Sequence, residues 1–325
     1  MIIAVLALLA GFAGLLWSAD RFISGAASTA CHVGVRPLLI GLTVVSLGTS
    51  APELLVSAGS ALLDAGEIAI GNAIGSNLAN IGMVLGITLL LIPIPVKGYV
   101  VRREMPLVLL ATILAAAVFA DNQLTRVEGL LLLTGFCVSF ALFFHYDKNS
   151  IAEGEDVLQN VVLMPPKRAV VWLLIGLILL CASAELLVWG GINLAESLGV
   201  SQLVIGLTVI AIGTSLPELA ASAISAWRGH HEIALGTILG SNLFNLLAVT
   251  GVASTIQPLS LDPAVLYRDY LVMTLATILL AGLLWISYLR RKSSEEQARL
   301  GRIAGILLLL CYLAYYAILF ADISS

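Results

Sequence analysis

The feature that most limits what this chain can fold into is the length of its uncharged runs. Ile2 to Trp17 and Ala169 to Ala184 carry no charged side chain, and several apolar stretches reach the ~20 residues that cross a bilayer as helix. In hydrocarbon every backbone amide needs an internal partner, so such runs must be helical. Composition agrees. Of 325 residues 60% are hydrophobic and 11% charged, with a mean hydropathy of +1.04. A soluble chain carries roughly a quarter charged residues. This is an all-α polytopic membrane protein. The net charge of −4 averages over two membrane faces and gives no pointer to nucleic acid. Cys31, Cys137, Cys181 and Cys311 form no CxxC pair and read as small packing residues. The histidines sit at segment ends, which argues against zinc.

Slid against itself, the sequence matches in one register, at the spacing that separates Glu53 from Glu218. "GLTVVSLGTSAPEL" (Gly41 to Leu54) falls on "GLTVIAIGTSLPEL" (Gly206 to Leu219), and "GNAIGSNLAN" (Gly71 to Asn80) falls on "GTILGSNLFN" (Gly236 to Asn245). Pro93 meets Pro258, and Arg103-Glu104 meets Arg268-Asp269. The chain is therefore read as a first repeat over 1–147, a polar linker over 148–168 and a second repeat over 169–325. The N-terminal segment lacks the basic start of a signal peptide, and its counterpart lies mid-chain, so it is expected to be a structural span.

Each repeat is expected to hold five spans, near 2–28, 37–62, 68–92, 105–120 and 127–145, then 169–193, 202–226, 233–256, 268–289 and 303–321. An odd number makes the second copy enter the membrane from the opposite side. The expectation is ten transmembrane helices as two inverted-topology repeats. Of the 16 Lys and Arg residues, all but Arg126 and Arg268 then fall on one face. The positive-inside rule makes that face cytoplasmic, the linker with it, and leaves both termini outside an integral plasma (inner) membrane protein.

Two glutamates interrupt this apolar pattern, Glu53 in "GTSAPEL" and Glu218 in "GTSLPEL". The glycine loosens the helix, and the proline removes a donor and clashes with the preceding turn. A broken helix is expected, with the carbonyls of Ser46 to Thr49 and of Ala211 to Thr214 freed from their usual partners. Thr49/Ser50 and Thr214/Ser215 suit the cap of the half-helix that follows. The second motif supplies a small-residue face at Gly71/Gly75 and Gly236/Gly240. Ser76 shares a helix face with Asn80, and Ser241 with Asn245.

Inverted copies of these motifs would meet near the midplane as an oxygen-rich pocket with two carboxylates and no intramembrane lysine or arginine. A charge there costs ~2.5–3.5 kcal/mol even on the mildest scale, so the pocket calls for cations. Carboxylate, carbonyl, hydroxyl and amide oxygens suit Ca²⁺, or several Na⁺ in its place, while a soft transition metal is disfavoured. A lone GxxxG or an intramembrane proline is usually packing. Their repetition around two carboxylates is what makes a packing role insufficient.

On these paired motifs, the whole chain resembles the cation/calcium exchanger superfamily, and within it the short prokaryotic sodium/calcium exchangers. The resemblance implies a ten-helix antiporter exchanging Na⁺ for Ca²⁺ by alternating access, working as a monomer in the bilayer without a cofactor and without enzymatic activity. It implies as ion ligands Glu53, Ser50, Ser76 and Asn80 with the Thr49 and Ser46 carbonyls, and Glu218, Ser215, Ser241 and Asn245 with the Thr214 and Ala211 carbonyls. Asn245 stands where some relatives carry an acid, and Ser46 faces Ala211 across the repeat. The linker is too short for the calcium-sensing domains of animal relatives. A proton/calcium exchanger remains the alternative, and a cation channel or an intramembrane protease fits less well. The long spans around Asp20 and Glu185 are candidates for a sliding element.

Overall fold

Helices make up nearly all of the regular structure, as the apolar runs require. The computed structural model describes residues 1–63, 66–152, 163–199, 209, 211–290 and 298–324. Its helices are α1 (Ile2–Val33), α2 (Pro37–Thr49), α3 (Ala51–Leu62), α4 (Gly66–Leu91), α5 (Met105–Phe119) and α6 (Arg126–Ala152) from the first repeat. The second supplies α7 (Pro166–Ser197), α8 (Ala211–Thr214), α9 (Leu216–Trp227), α10 (His231–Ile256), α11 (Val265–Leu289) and α12 (Arg302–Ser324).

Seven of these helices are long and apolar enough to cross a membrane among the described residues, or eight when α2 and α3, bent by 46°, count as one broken span. Two of the ten expected spans fall short of that test for identifiable reasons. Helix α5 has 15 residues and follows Arg102, Arg103 and Glu104 directly. The expected span over 202–226 begins outside the described residues, as do 153–162 of the linker and Arg291 and Lys292 of the basic face.

The chain forms two compact units, each drawing on both repeats: Met1–Pro52 with Asp147–Thr237, and Glu53–Tyr146 with Ile238–Ser325. In the first unit, α1 and α7 run antiparallel, because Gly11 lies against Ser183 and Leu187 while Gly25 lies against Ala169 and Leu173. The contact obeys the repeat. A Cβ at Gly25 would sit 2.6 Å from the Leu173 amide, and one at Gly190 would sit 3.1 Å from the amide of Leu8, the residue equivalent to Leu173. Backbones this close admit no side chain. Phe22, Ile23, Leu180 and Ala221 fill the core beside them, and Arg228 Nε, just past α9, donates to Asp20 Oδ1 of α1 at 2.6 Å. Leu6, Leu9, Phe12, Leu174 and Ile178 face outward, an apolar surface suited to lipid.

In the second unit, α12 lies on α4 at Gly305 and Gly86, and α6 lies on α10 at Gly129 and Gly251. Gly86 and Gly251 are repeat equivalents, so these contacts are also twins. Two antiparallel ladders of two residues repeat the theme. β1 (Ile94–Pro95) pairs β4 (Arg299–Leu300), and β2 (Gln123–Leu124) pairs β3 (Leu259–Ser260). Here the register slips: the partners of the twinned β1 and β3 are not themselves 165 apart (Glu53 to Glu218 spacing), because the connection after α11 is longer than that after α5. The two helices that carry GSN are the most enclosed. Over their most apolar stretch α4 is 78% buried and α10 100%, against 22% for α7.

Candidate ion site

The broken helix sits where the G-T-S-x-P-E motif puts it. Helix α2 stops at Ser50, whose φ and ψ are −88° and 9°, and Ser215 repeats this conformation at −91° and 5°. This bridge region of backbone space is sparsely used and frequent at functional sites. Pro52 and Pro217 lie in the first turns of α3 and α9, and so do Glu53 and Glu218.

In the first unit, Ser46, Thr49, Ser50, Ser215 and Glu218 are all buried and Thr214 half-buried. Ser50 Oγ donates to Glu218 Oε1 at 2.8 Å, so a serine of the first repeat holds the glutamate of the second across 168 residues of sequence. The capping expectation is corrected here. Ser215 stands at the N-cap of α9 but makes no side-chain cap bond, and the Ser50 hydroxyl goes to a carboxylate, a stronger acceptor than any neutral group nearby. The hydroxyls of Ser46 and Thr49 turn back to the carbonyls of Leu42 (2.7 Å) and Val45 (3.1 Å), leaving these residues to offer main-chain oxygen. A second correction concerns those carbonyls. Ser46 O still accepts the Ser50 amide at 3.0 Å, so the first break frees less backbone than the proline suggests. In the second copy the Ser215 amide donates to Ile212 O at 3.1 Å.

In the second unit, Glu53, Ser76, Asn80, Ser241 and Asn245 are buried to within a few per cent. Among the described residues no hydrogen-bond partner meets either side-chain polar atom of Asn80 or Asn245, or Ser241 Oγ; in the first unit the same holds for Ser215 Oγ and Glu218 Oε2. A buried polar atom left without a partner costs about 1–3 kcal/mol. Each such atom is stable there only if something polar meets it. Glu218 also has no Lys or Arg ion-pair partner among the described residues. The donors are carboxylate, amide, hydroxyl and carbonyl oxygens, the ligand set of a hard cation.

Several features were not read from the motifs. Asn72 Nδ2 donates to Glu53 O (3.1 Å) and to Ser57 Oγ (2.9 Å), and Ser57 donates to Ala69 O, which ties α3 to α4. Asn77 Nδ2 donates to Asn242 O at 3.1 Å, joining the middle residues of the two GSN triplets, a pairing their equivalent positions could have suggested. Widened π turns open at Asn80 and at Phe244, next to Asn245, and a π bulge often marks a functional position. The small-residue face is used at Gly236, where a Cβ would lie 2.6 Å from Leu38 O of α2. At Gly71 a Cβ would meet nothing among the described residues; the counterparts of Leu38 and Gly41 lie outside them.

The family profile described as "Sodium/calcium exchanger protein" matches residues 3–145 and 168–321. CaxA of Alkalimonas amylolytica, named as a candidate antiporter, is 44% identical over 99% of this chain and 100% of its own length. Inner membrane protein YrbG of Escherichia coli (strain K12) is 37% identical over 98% of both chains. Among solved structures, the sodium-calcium exchanger NCX_Mj soaked with 2.5 mM Na⁺ and 0.1 mM Ca²⁺ superposes with a TM-score of 0.82 at 32% identity, covering 98% of each chain. A fold shared over the whole length, a matching profile over both repeats and a buried hard-oxygen set place this chain in the sodium/calcium exchanger family.

Proposed function

We propose that the protein is a secondary active antiporter that exchanges Na⁺ for Ca²⁺ across the membrane by alternating access. The observation that carries this reading is the Ser50–Glu218 hydrogen bond. It joins the two copies of one motif at a fully buried carboxylate, where Ser215 Oγ and Glu218 Oε2 have no hydrogen-bond partner among the described residues. The ions are held by Glu53 and Glu218, the side chains of Ser50, Ser215, Ser76, Ser241, Asn80 and Asn245, and the carbonyls of Ser46, Thr49, Ala211 and Thr214. Two carboxylates balance one Ca²⁺, and the same oxygens serve several Na⁺ in turn.

Coupling follows from that balance. A site with two bare carboxylates is costly to seal from water, whereas a cation-filled site is not. The protein changes its access only with ions bound, which forbids an empty return and enforces exchange. When several Na⁺ trade for one Ca²⁺, each net charge exchanges ~2.3 kcal/mol per 100 mV with the membrane potential. The cycle requires no resident cofactor.

The finer architecture is part of the same reading: ten spans in two inverted repeats, 1–147 and 169–325, joined by a cytoplasmic linker over 148–168. Both termini lie outside an inner membrane, and the unit that transports is a monomer. The antiparallel twin contact of α1 with α7 supports the inversion, and the charge tally supports the orientation. The antiparallel pair around Asp20 and Glu185 is the element that moves. The test is ⁴⁵Ca²⁺ uptake into Na⁺-loaded vesicles. Uptake should rise with the outward Na⁺ gradient; uptake that ignores Na⁺ and follows a pH gradient would show a proton-coupled exchanger instead.

A further inference from the structure

Far along the sequence from both motifs, the second unit holds a cavity of about 650 Å³ between the end of α11 and the start of α12. Three arginines line it: Arg290 just past α11, Arg299 in β4 and Arg302 opening α12. All three are exposed, and among the described residues none has an ion pair. Apart from Ser287, the other lining side chains are apolar, Pro93, Leu283, Ile286 and Ile303 among them. Ile286 and Ile303 are themselves 46% and 77% exposed, so the cavity opens on an apolar flank at the end of two membrane helices.

We propose that this cavity binds the phosphodiester headgroup of an anionic phospholipid, with its acyl chains along Ile286 and Ile303. Guanidinium forks match phosphate oxygens, and three of them around one cavity exceed what a zwitterionic headgroup would balance. Basic pockets between membrane helices are recognised sites for such headgroups. Arg302, Ile303 and Ala304 of the first turn of α12 line the same cavity, and first-turn amides lack an intrahelical carbonyl, which favours an anion beside the arginines that define the site. An apolar flank beside the charge is what separates a lipid from free phosphate. Helix α12 packs on α4, the carrier of Ser76 and Asn80, so a lipid wedged at its start bears on a helix of the ion site.

The experiment is native mass spectrometry of the full-length protein released from nanodiscs of mixed phosphatidylglycerol and phosphatidylcholine. Wild type should retain phosphatidylglycerol in preference. Retention should fall about fivefold for each guanidinium removed in Arg290→Gln, Arg299→Gln and Arg302→Gln. The three single variants are read as well as the triple, so a triple that fails to fold decides nothing alone. The corresponding lysine variants should keep most of the preference, and Arg126→Gln, elsewhere in the unit, all of it. Millimolar inorganic phosphate should not displace the lipid. Equal retention of both lipids by wild type, unchanged retention in the glutamine variants, or displacement by phosphate would each overturn the proposal.

Discussion

The two copies of the G-T-S-x-P-E motif share a backbone and differ in how they hold their glutamates. Ser50 and Ser215 adopt nearly the same φ and ψ, and each precedes a half-helix with proline in its first turn. Yet Glu218 is gripped at its carboxylate by Ser50, whereas the half-helix of Glu53 is gripped at its main chain by Asn72. The residue equivalent to Asn72 is Thr237, whose hydroxyl bonds Ile233 O in its own helix. Ser222, equivalent to Ser57, is buried with no partner for its hydroxyl among the described residues. Duplication supplies two carboxylates in equivalent places, and the residues that hold their half-helices have since diverged.

The comparison is sharpened most by the serines. Ser50→Ala removes a charge-assisted bond worth about 1.5–3 kcal/mol, and should raise the Ca²⁺ concentration for half-maximal transport roughly ten- to a hundredfold. Ser215→Ala, whose hydroxyl has no partner among the described residues, should shift it by less than Ser50→Ala. Equal shifts would mean that the Ser50–Glu218 bond contributes nothing beyond two equivalent ion ligands.

Next come the glycines of the twin contact. Gly25→Ala and Gly190→Ala each press a methyl group onto backbone, at 2.6 Å and 3.0 Å from the nearest atom. Overpacking of this kind costs about 1–3 kcal/mol, with the larger loss expected at Gly25. Thermal unfolding in detergent measures it, and a neutral Gly25→Ala would show that α1 and α7 yield easily.

Asn72→Ala should lower stability by about 1–3 kcal/mol through two lost hydrogen bonds, while Thr237→Val should change it by under about 1 kcal/mol, in the same assay. The smallest effect belongs to the half-exposed Arg228–Asp20 pair. Arg228→Gln should cost only about 0.2–1 kcal/mol, less at high salt. A larger loss would give this link between α9 and α1 a role beyond an ordinary surface ion pair.

What the sequence made legible was whatever duplication had written twice. Glu53 and Glu218, the break at Ser50 and Ser215, and the burial of Ser76, Asn80, Ser241 and Asn245 all follow from motifs seen in both halves. Hydropathy located the seven long apolar helices, whereas α5 is too short and too close to charge to stand out alone. Asn72 escaped because its equivalent is threonine, so a search for repetition passes over it. The π turns at Asn80 and Phe244 escaped because they shift backbone hydrogen bonds without requiring a particular residue type. The serine caps were misassigned for a related reason: local pattern offers Ser50 a backbone amide, and only the tertiary fold brings the Glu218 carboxylate to it.

The central claim is that one carboxylate from each repeat holds the transported ions. Its most direct test is Na⁺-driven ⁴⁵Ca²⁺ uptake by proteoliposomes carrying wild type, Glu53→Gln or Glu218→Gln, with each variant shown to be folded by thermal unfolding. Both folded variants should lose uptake by a hundredfold or about that, since each leaves one charge to balance Ca²⁺ and removes a charged ligand of about 3 kcal/mol or more. Sustained uptake in either folded variant would contradict the account.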